Sequence, residues 1–190
     1  MAEIASETVL DPALVWTLRL FLASIFARAV YAKVRFPKEF ADALRGYQLV
    51  PENLASGFAG ALLALECALV PALLVSAAAP YAAAIAAGVL CLYALAIGIN
   101  LWRGRRDIDC GCSGPAARQT LHEMLVVRNL VYAAFAGFAA VAGFNTSART
   151  LIWLDGMTIG LAVLCFICLA LALDQLAALA ARSRTSGALS

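Results

Sequence analysis

The sequence predicts an all-α integral membrane protein, a helical bundle of about five transmembrane helices with one short interfacial helix. Three observations carry this. Of the 190 residues, 64% are hydrophobic and only 14% are charged, where a soluble domain carries about a quarter charged; mean hydropathy is +0.88. The apolar residues gather in five runs, each near the roughly 20 residues that cross a hydrocarbon core as a helix. None of these runs alternates polar with apolar as barrel strands do. A soluble fold this short cannot bury so much apolar surface, and disorder needs the opposite composition. The net charge of +2 offers no concentrated basic face for nucleic acid.

The first run covers roughly residues 13–32. Its leader holds Glu3, Glu7 and Asp11 and no Lys or Arg, whereas a secretory signal begins with a basic region. A short surface helix follows, with Pro37 at a first helical position and Gly46 at its terminus. Phe36, Phe40, Leu44 and Tyr47 fall on one face and Lys38, Glu39, Asp42 and Arg45 on the other, the pattern of a helix lying in the interface. The second and third runs cover roughly 54–78 and 81–102. Gly57, Gly60, Ala64 and the alanines from Ala82 to Ala87 either let helices approach closely or simply favour helix. Thr120 with Glu123 three residues on reads as a capping box that starts the fourth helix, whose run covers roughly 121–144. The fifth covers roughly 157–180. Residues 1–181 then form one transmembrane domain and 182–190 a flexible polar tail.

Basic residues alternate between connections. Lys33, Arg35, Lys38 and Arg45 follow the first span, and Arg103, Arg105, Arg106 and Arg118 follow the third; the opposite side holds only Arg149. The positive-inside rule then puts the N-terminus outside and both long connections in the cytoplasm. Aromatic belts fit the same ends, with Trp16, Tyr81, Phe144 and Trp153 on one side and Tyr31, Tyr47 and Trp102 on the other.

The most informative connection reads Asp107-Ile108-Asp109-Cys110-Gly111-Cys112-Ser113-Gly114-Pro115. Cysteines two apart bond only across a sharp bend, which Gly111 permits. So small a ring is strained, and strained disulfides are the labile, oxidising ones. Arg103, Arg105 and Arg106 favour the reactive thiolate, while Asp109 opposes it. Redox exchange at Cys110 and Cys112 is the favoured reading. Inert cysteines are a second, and a metal site is a weaker third, because Cys110, Cys112 and His122 fall short of about four ligands. Cys67 and Cys91 sit singly in mid-span as small hydrophobes. Cys165 and Cys168 lie three apart inside a helix, too far for a disulfide, and are expected to pack structurally.

Five charged residues fall inside the spans: Arg19, Arg28, Glu66, Arg128 and Asp174. Intramembrane charges seek partners or a cavity. Four of them, all but Arg19, belong to the half that carries the cysteines. The expected pair is Glu66 with Arg128, flanked by Arg28 and Asp174. It serves either as a structural ion-pair network or as a polar pocket able to hold a membrane quinone head group or a partner's thiol, with Arg28, Glu66 and Arg128 as its lining.

Several stretches resemble the methylamine utilisation protein MauE family. They are Ala27-Arg28-Ala29-Val30-Tyr31-Ala32-Lys33 with Arg35-Phe36-Pro37 and Phe40; Tyr47 with Leu49-Val50-Pro51; Leu65-Glu66; Asn100-Leu101-Trp102-Arg103-Gly104-Arg105 running into Asp109-Cys110-Gly111-Cys112; and Val126-Val127-Arg128-Asn129. The resemblance implies a four-helix DoxX-like core plus one helix, in a multi-pass protein of a bacterial inner membrane. It implies work alongside a thioredoxin-like partner in maturing a disulfide-containing client, the methylamine dehydrogenase beta subunit. Cys110 and Cys112 would be the redox pair. Two other function classes stay open: a non-catalytic assembly factor, and a small transporter using an intramembrane Glu/Arg pocket.

Overall fold

The computed structural model describes residues 10–106, 108, 121–145 and 149–187, with side chains as far as residue 176. Among these residues the chain forms six α-helices: α1 (Pro12–Arg35), α2 (Pro37–Tyr47), α3 (Glu52–Leu74), α4 (Ala79–Trp102), α5 (Glu123–Phe144) and α6 (Trp153–Gly187). Five segments, α1, α3, α4, α5 and Trp153–Leu176 of α6, are long and apolar enough to cross a membrane. The outward faces agree, since Leu92, Leu95, Val127, Leu130, Leu161 and Leu164 are all exposed. So extended an apolar surface is foreign to a soluble protein and suits lipid. The protein is a multi-pass membrane protein.

α1 is the central helix. It starts on Asp11, whose carboxylate accepts the Ala13 N–H at 2.8 Å, with Pro12 in its first turn. Leu18, Leu22 and Phe26 recur on one face and meet Ala59 of α3, Ala83 and Ala86 of α4, and Ala136 and Ala139 of α5. Small side chains thus let the helices close together, most extensively between α4 and α5. Gly57, Gly60 and Ala64 do not take part; they face outward. α6 leans on α1, with the Phe166 ring 5.2 Å from Phe21 and 6.0 Å from Phe135.

Several boundaries differ from the sequence reading. α3 ends at Leu74, one turn after Pro71. α5 starts at Glu123 rather than Thr120, with His122 at the cap and no side-chain capping bond; Glu123 instead accepts from Arg106 at 2.6 Å. α2 runs through Gly46 and closes on Gln48 in the left-handed region, φ 49°. Gly46 serves close approach, because a Cβ there would stand 3.2 Å from Ile108 Cγ2. The two faces of α2 divide as expected, with Phe40 and Tyr47 buried and Lys38, Glu39, Asp42 and Arg45 exposed. Tyr47 therefore belongs to the core and not to an aromatic belt.

At the end opposite the cysteine segment, Tyr81 and Phe144 meet edge to face at 5.5 Å. Arg149 bridges Asp11 at 3.1 Å and Asp155 at 3.0 Å. The Ala13 amide and the Arg149 guanidinium together hold the Asp11 carboxyl below its usual range.

Candidate functional site

Lys33 was expected in a connection, yet it lies inside α1 with its side chain 1% exposed. Its ammonium donates to both Glu66 oxygens, at 2.6 and 2.5 Å, and to the Tyr93 hydroxyl at 2.8 Å. Tyr93 in turn donates to Glu66 Oε1. The Phe40 ring of α2 stands 4.6 Å from the ammonium, within cation–π range. Four helices thus close on one buried ion pair, and Lys33 lies so deep because its neighbours overrun it. It is two residues from the end of α1, about 3 Å along the axis, whereas Glu66 is about 21 Å into α3 and Tyr93 about 14 Å from the end of α4.

The expected Glu66–Arg128 pair does not form. Arg128 of α5 donates to Asp174 Oδ1 at 2.6 Å, and Arg28 of α1 to Asp174 Oδ2 at 3.1 Å. One carboxylate on α6 thereby ties two guanidinium groups on two other helices. The physical reason is the rotation of α1, which turns Lys33 toward α3 and Arg28 toward α6. Arg19 stands apart as expected, buried near the other end, with its guanidinium 5.6 Å from the Trp16 ring.

Between these two networks is a partly open cavity of about 160 Å³, lined by residues of α1, α4, α5 and α6. Lys33 and Tyr93 face it from the first network and Arg28 and Arg128 from the second, with Asn129 and Tyr132 beside them. Two of the expected pocket residues, Arg28 and Arg128, line it; Glu66 stands behind Lys33. Lys33 and Tyr93 were missed in the sequence. A usable signal existed for Lys33, which follows the buried Phe26 by seven residues and so shares its helix face.

Cys110 and Cys112 lie outside the described residues, as do Asp109, Ser113 and Thr120. The structure does describe where their segment is attached. The Leu121 N–H donates to the Ile108 carbonyl at 3.2 Å, and Ile108 packs with Tyr47, Ile97, Leu121 and Leu125. Asn100, near the end of α4, is fully buried; its side-chain amide donates to the Ala96 carbonyl, and its backbone carbonyl accepts the Arg105 N–H. The remaining cysteines correct another expectation. Cys67, Cys91, Cys165 and Cys168 are free thiols on the outer, lipid-facing surfaces of their helices, not packed in the core. Among the described residues no three His, Cys, Asp or Glu side chains gather to hold a metal.

A family model described as methylamine utilisation protein MauE matches residues 11–144, from the cap of α1 to the end of α5. This chain belongs to the MauE family. It is 37% identical over 131 residues to the methylamine utilization protein MauE of Paracoccus denitrificans, covering 69% of this chain and 70% of that one. It is 34% identical over 138 residues to the protein of the same name from Methylophilus methylotrophus, covering 72% and 73%. A third relative of that name, from Methylorubrum extorquens, is 36% identical over 127 residues. No solved structure matches. The MauE match takes in Arg28, Lys33, Glu66, Tyr93, Arg128 and the cysteine segment; α6, which supplies Asp174, lies beyond it.

Proposed function

We propose that this MauE-family protein serves methylamine utilisation by thiol–disulfide exchange at Cys110 and Cys112. A thiolate of one partner attacks a sulfur of the other's disulfide, a mixed disulfide forms, and the second thiolate releases it. One S–S bond is made for each one broken, and the electron pair passes between the partners. The client is a disulfide-containing protein such as the methylamine dehydrogenase beta subunit, matured together with a thioredoxin-like protein at a bacterial inner membrane.

The observation that carries this reading is the anchorage of the segment. It leaves the bundle at Ile108 and returns at Leu121, and those two residues share a backbone hydrogen bond and one apolar cluster. A reactive pair attached to rigid elements is presented to a partner more reproducibly than one on a free tail. Arg103, Arg105 and Arg106 precede it in sequence and favour the thiolate. A small transporter using an intramembrane Glu/Arg pocket is the poorer reading, because Glu66 pairs with Lys33 and Arg128 with Asp174, so the Glu66–Arg128 pocket it needs does not form.

The test is maturation of the client in cells carrying Cys110→Ser or Cys112→Ser. Each single change is expected to abolish it while the protein still inserts, and the pair Cys165→Ala and Cys168→Ala is expected to leave it intact. Normal maturation in both serine variants would sink the redox role and leave the assembly-factor reading. Reaction of Cys112 with a membrane-impermeant thiol reagent in intact cells tells on which side the partner must be.

A further inference from the structure

We infer that Arg19 binds the phosphate of an anionic membrane lipid at the end of the bundle opposite the cysteine segment. Arg19 is 6% exposed, yet its buried Nε has no hydrogen-bond partner. The Trp16 ring, 5.6 Å from the guanidinium, offers a cation–π contact but no acceptor for its N–H groups. The two carboxylates described at this end, Asp11 and Asp155, are both bridged by Arg149. Among the described residues no carboxylate is left for Arg19. A guanidinium carries five N–H donors, and a cation taken from water without an acceptor is costly. An acceptor from outside the described bundle offsets that cost.

The place of the guanidinium selects the acceptor. Arg19 is seven residues into α1 from Pro12, about 10 Å along the axis, and a helical side chain reaches back toward the N-terminus. Its Nη2 ends beside Gly143, one residue from the end of α5, and Pro80, one residue from the start of α4; a Cβ on Gly143 would stand 3.1 Å from Nη2 and 2.8 Å from Pro80 Cγ. The charge thus lies at the level of the helix ends, where α1, α4 and α5 meet, and not in mid-membrane. Tyr81 and Phe144, the residues next to Pro80 and Gly143, are exposed and meet edge to face. Trp and Tyr gather at the depth of lipid head groups. The same helices turn Leu14, Ile85 and Val141 outward, so lipid surrounds the junction.

The oxyanion found at that depth is a lipid phosphate, and its oxygens match the planar guanidinium fork. Phosphatidylglycerol brings one negative charge for the one cation. In phosphatidylcholine the phosphate is already balanced by the ammonium of its own head group. The site therefore favours the anionic lipid, and it acts apart from the exchange reaction proposed for Cys110 and Cys112.

The experiment titrates phosphatidylglycerol, phosphatidylcholine and inorganic phosphate separately into the full-length protein in neutral detergent. Native mass spectrometry reads the bound lipid, and thermal unfolding reads stability. Wild type is expected to hold its tightest phosphatidylglycerol about tenfold more strongly than phosphatidylcholine, the worth of one charge-assisted hydrogen bond. Arg19→Met is expected to erase that preference, Arg19→Lys, which keeps the charge but not the fork, to retain part of it, and Lys38→Gln, an exposed change at the other end, to leave it whole. Without lipid, Arg19→Met is expected to unfold no lower than wild type, since it removes an unpaired buried charge. The same preference in wild type and Arg19→Met overturns the site. So does Arg19→Met unfolding lower by the same amount with and without phosphatidylglycerol, which is the mark of a purely structural arginine. Displacement of the lipid by equimolar inorganic phosphate overturns the lipid as the source. A loss of lipid-free stability on Glu3→Gln with Glu7→Gln that disappears in the Arg19→Met background gives the acceptor to the chain's own leader and overturns it as well.

Discussion

The Lys33 ammonium lies 2.5 Å from Glu66 Oε2, with side chains 1% and 0% exposed. Between α1 and α3 this is the one fully buried ion pair among the described residues, and Tyr93 of α4 completes its hydrogen bonds. Taking both charges from water is costly, and only such complete pairing offsets it. Breaking it from one side is correspondingly damaging. Lys33→Met and Glu66→Leu are each expected to destabilise the protein by about 3–5 kcal/mol, while the double variant recovers most of that loss. Thermal unfolding in detergent of the two singles and the double closes the cycle; additive losses would contradict the pairing.

Asp174 is expected to matter more than either of its partners. Asp174→Asn leaves two guanidinium groups facing a neutral amide, and the Arg128 side chain is only 15% exposed. A loss of about 3–5 kcal/mol follows. Arg28→Gln removes a bridge that is half open and is expected to cost under about 1 kcal/mol. Unfolding midpoints of the two variants, measured side by side, give the order.

Two glycines of α5 make a paired test of packing. A Cβ on Gly143 would stand 2.8 Å from Pro80 Cγ and 3.1 Å from Arg19 Nη2. Gly143→Ala must therefore shift α4 against α5, with an expected destabilisation of about 1–3 kcal/mol. At Gly137 nothing lies within 4 Å of that position, and Gly137→Ala is expected to stabilise by up to about 1 kcal/mol through helix propensity. The same sign for both changes would place the α4–α5 contact elsewhere.

Acid sensitivity is expected at the Asp11 end. Its carboxyl is held below the ordinary value of 3.8 by the Ala13 amide and Arg149. A depressed carboxyl contributes its full stability above the unfolded-state value. That contribution is lost as pH falls below about 3.8 through the lower folded-state value. Asp11→Asn should flatten the fall in unfolding temperature over that window while leaving the curve near neutral pH parallel to wild type.

Much of the fold was legible because lipid imposes one rule on every span. The five apolar runs, the two-faced segment from Pro37 to Tyr47 and the separation of Arg19 from the other buried charges follow from hydrophobic length and periodicity alone. Which charges meet did not follow. Lys33 looked like a connection residue because a single helix says nothing about how far α3 and α4 extend beside it. Arg128 looked like the partner of Glu66 because depth along a helix was readable and rotation about its axis was not. Tyr93 gave no signal in an apolar run, since a hydroxyl that hydrogen-bonds inside the bundle leaves hydropathy almost unchanged. Cys67, Cys91, Cys165 and Cys168 were read as packed because thiols are usually buried in water-soluble proteins, and that habit does not carry over where the exterior is hydrocarbon.

The 3.2 Å bond from the Leu121 N–H to the Ile108 carbonyl has a consequence for how such a protein can change over generations. With the two ends clasped, α4 and α5 keep their register whatever stretches between them. Closing a longer stretch costs little, about 0.6 kcal/mol for each doubling of length. Insertions and exchanges there are therefore almost neutral for membrane insertion and folding, and the helical frame can be kept while the stretch between its clasped ends is replaced.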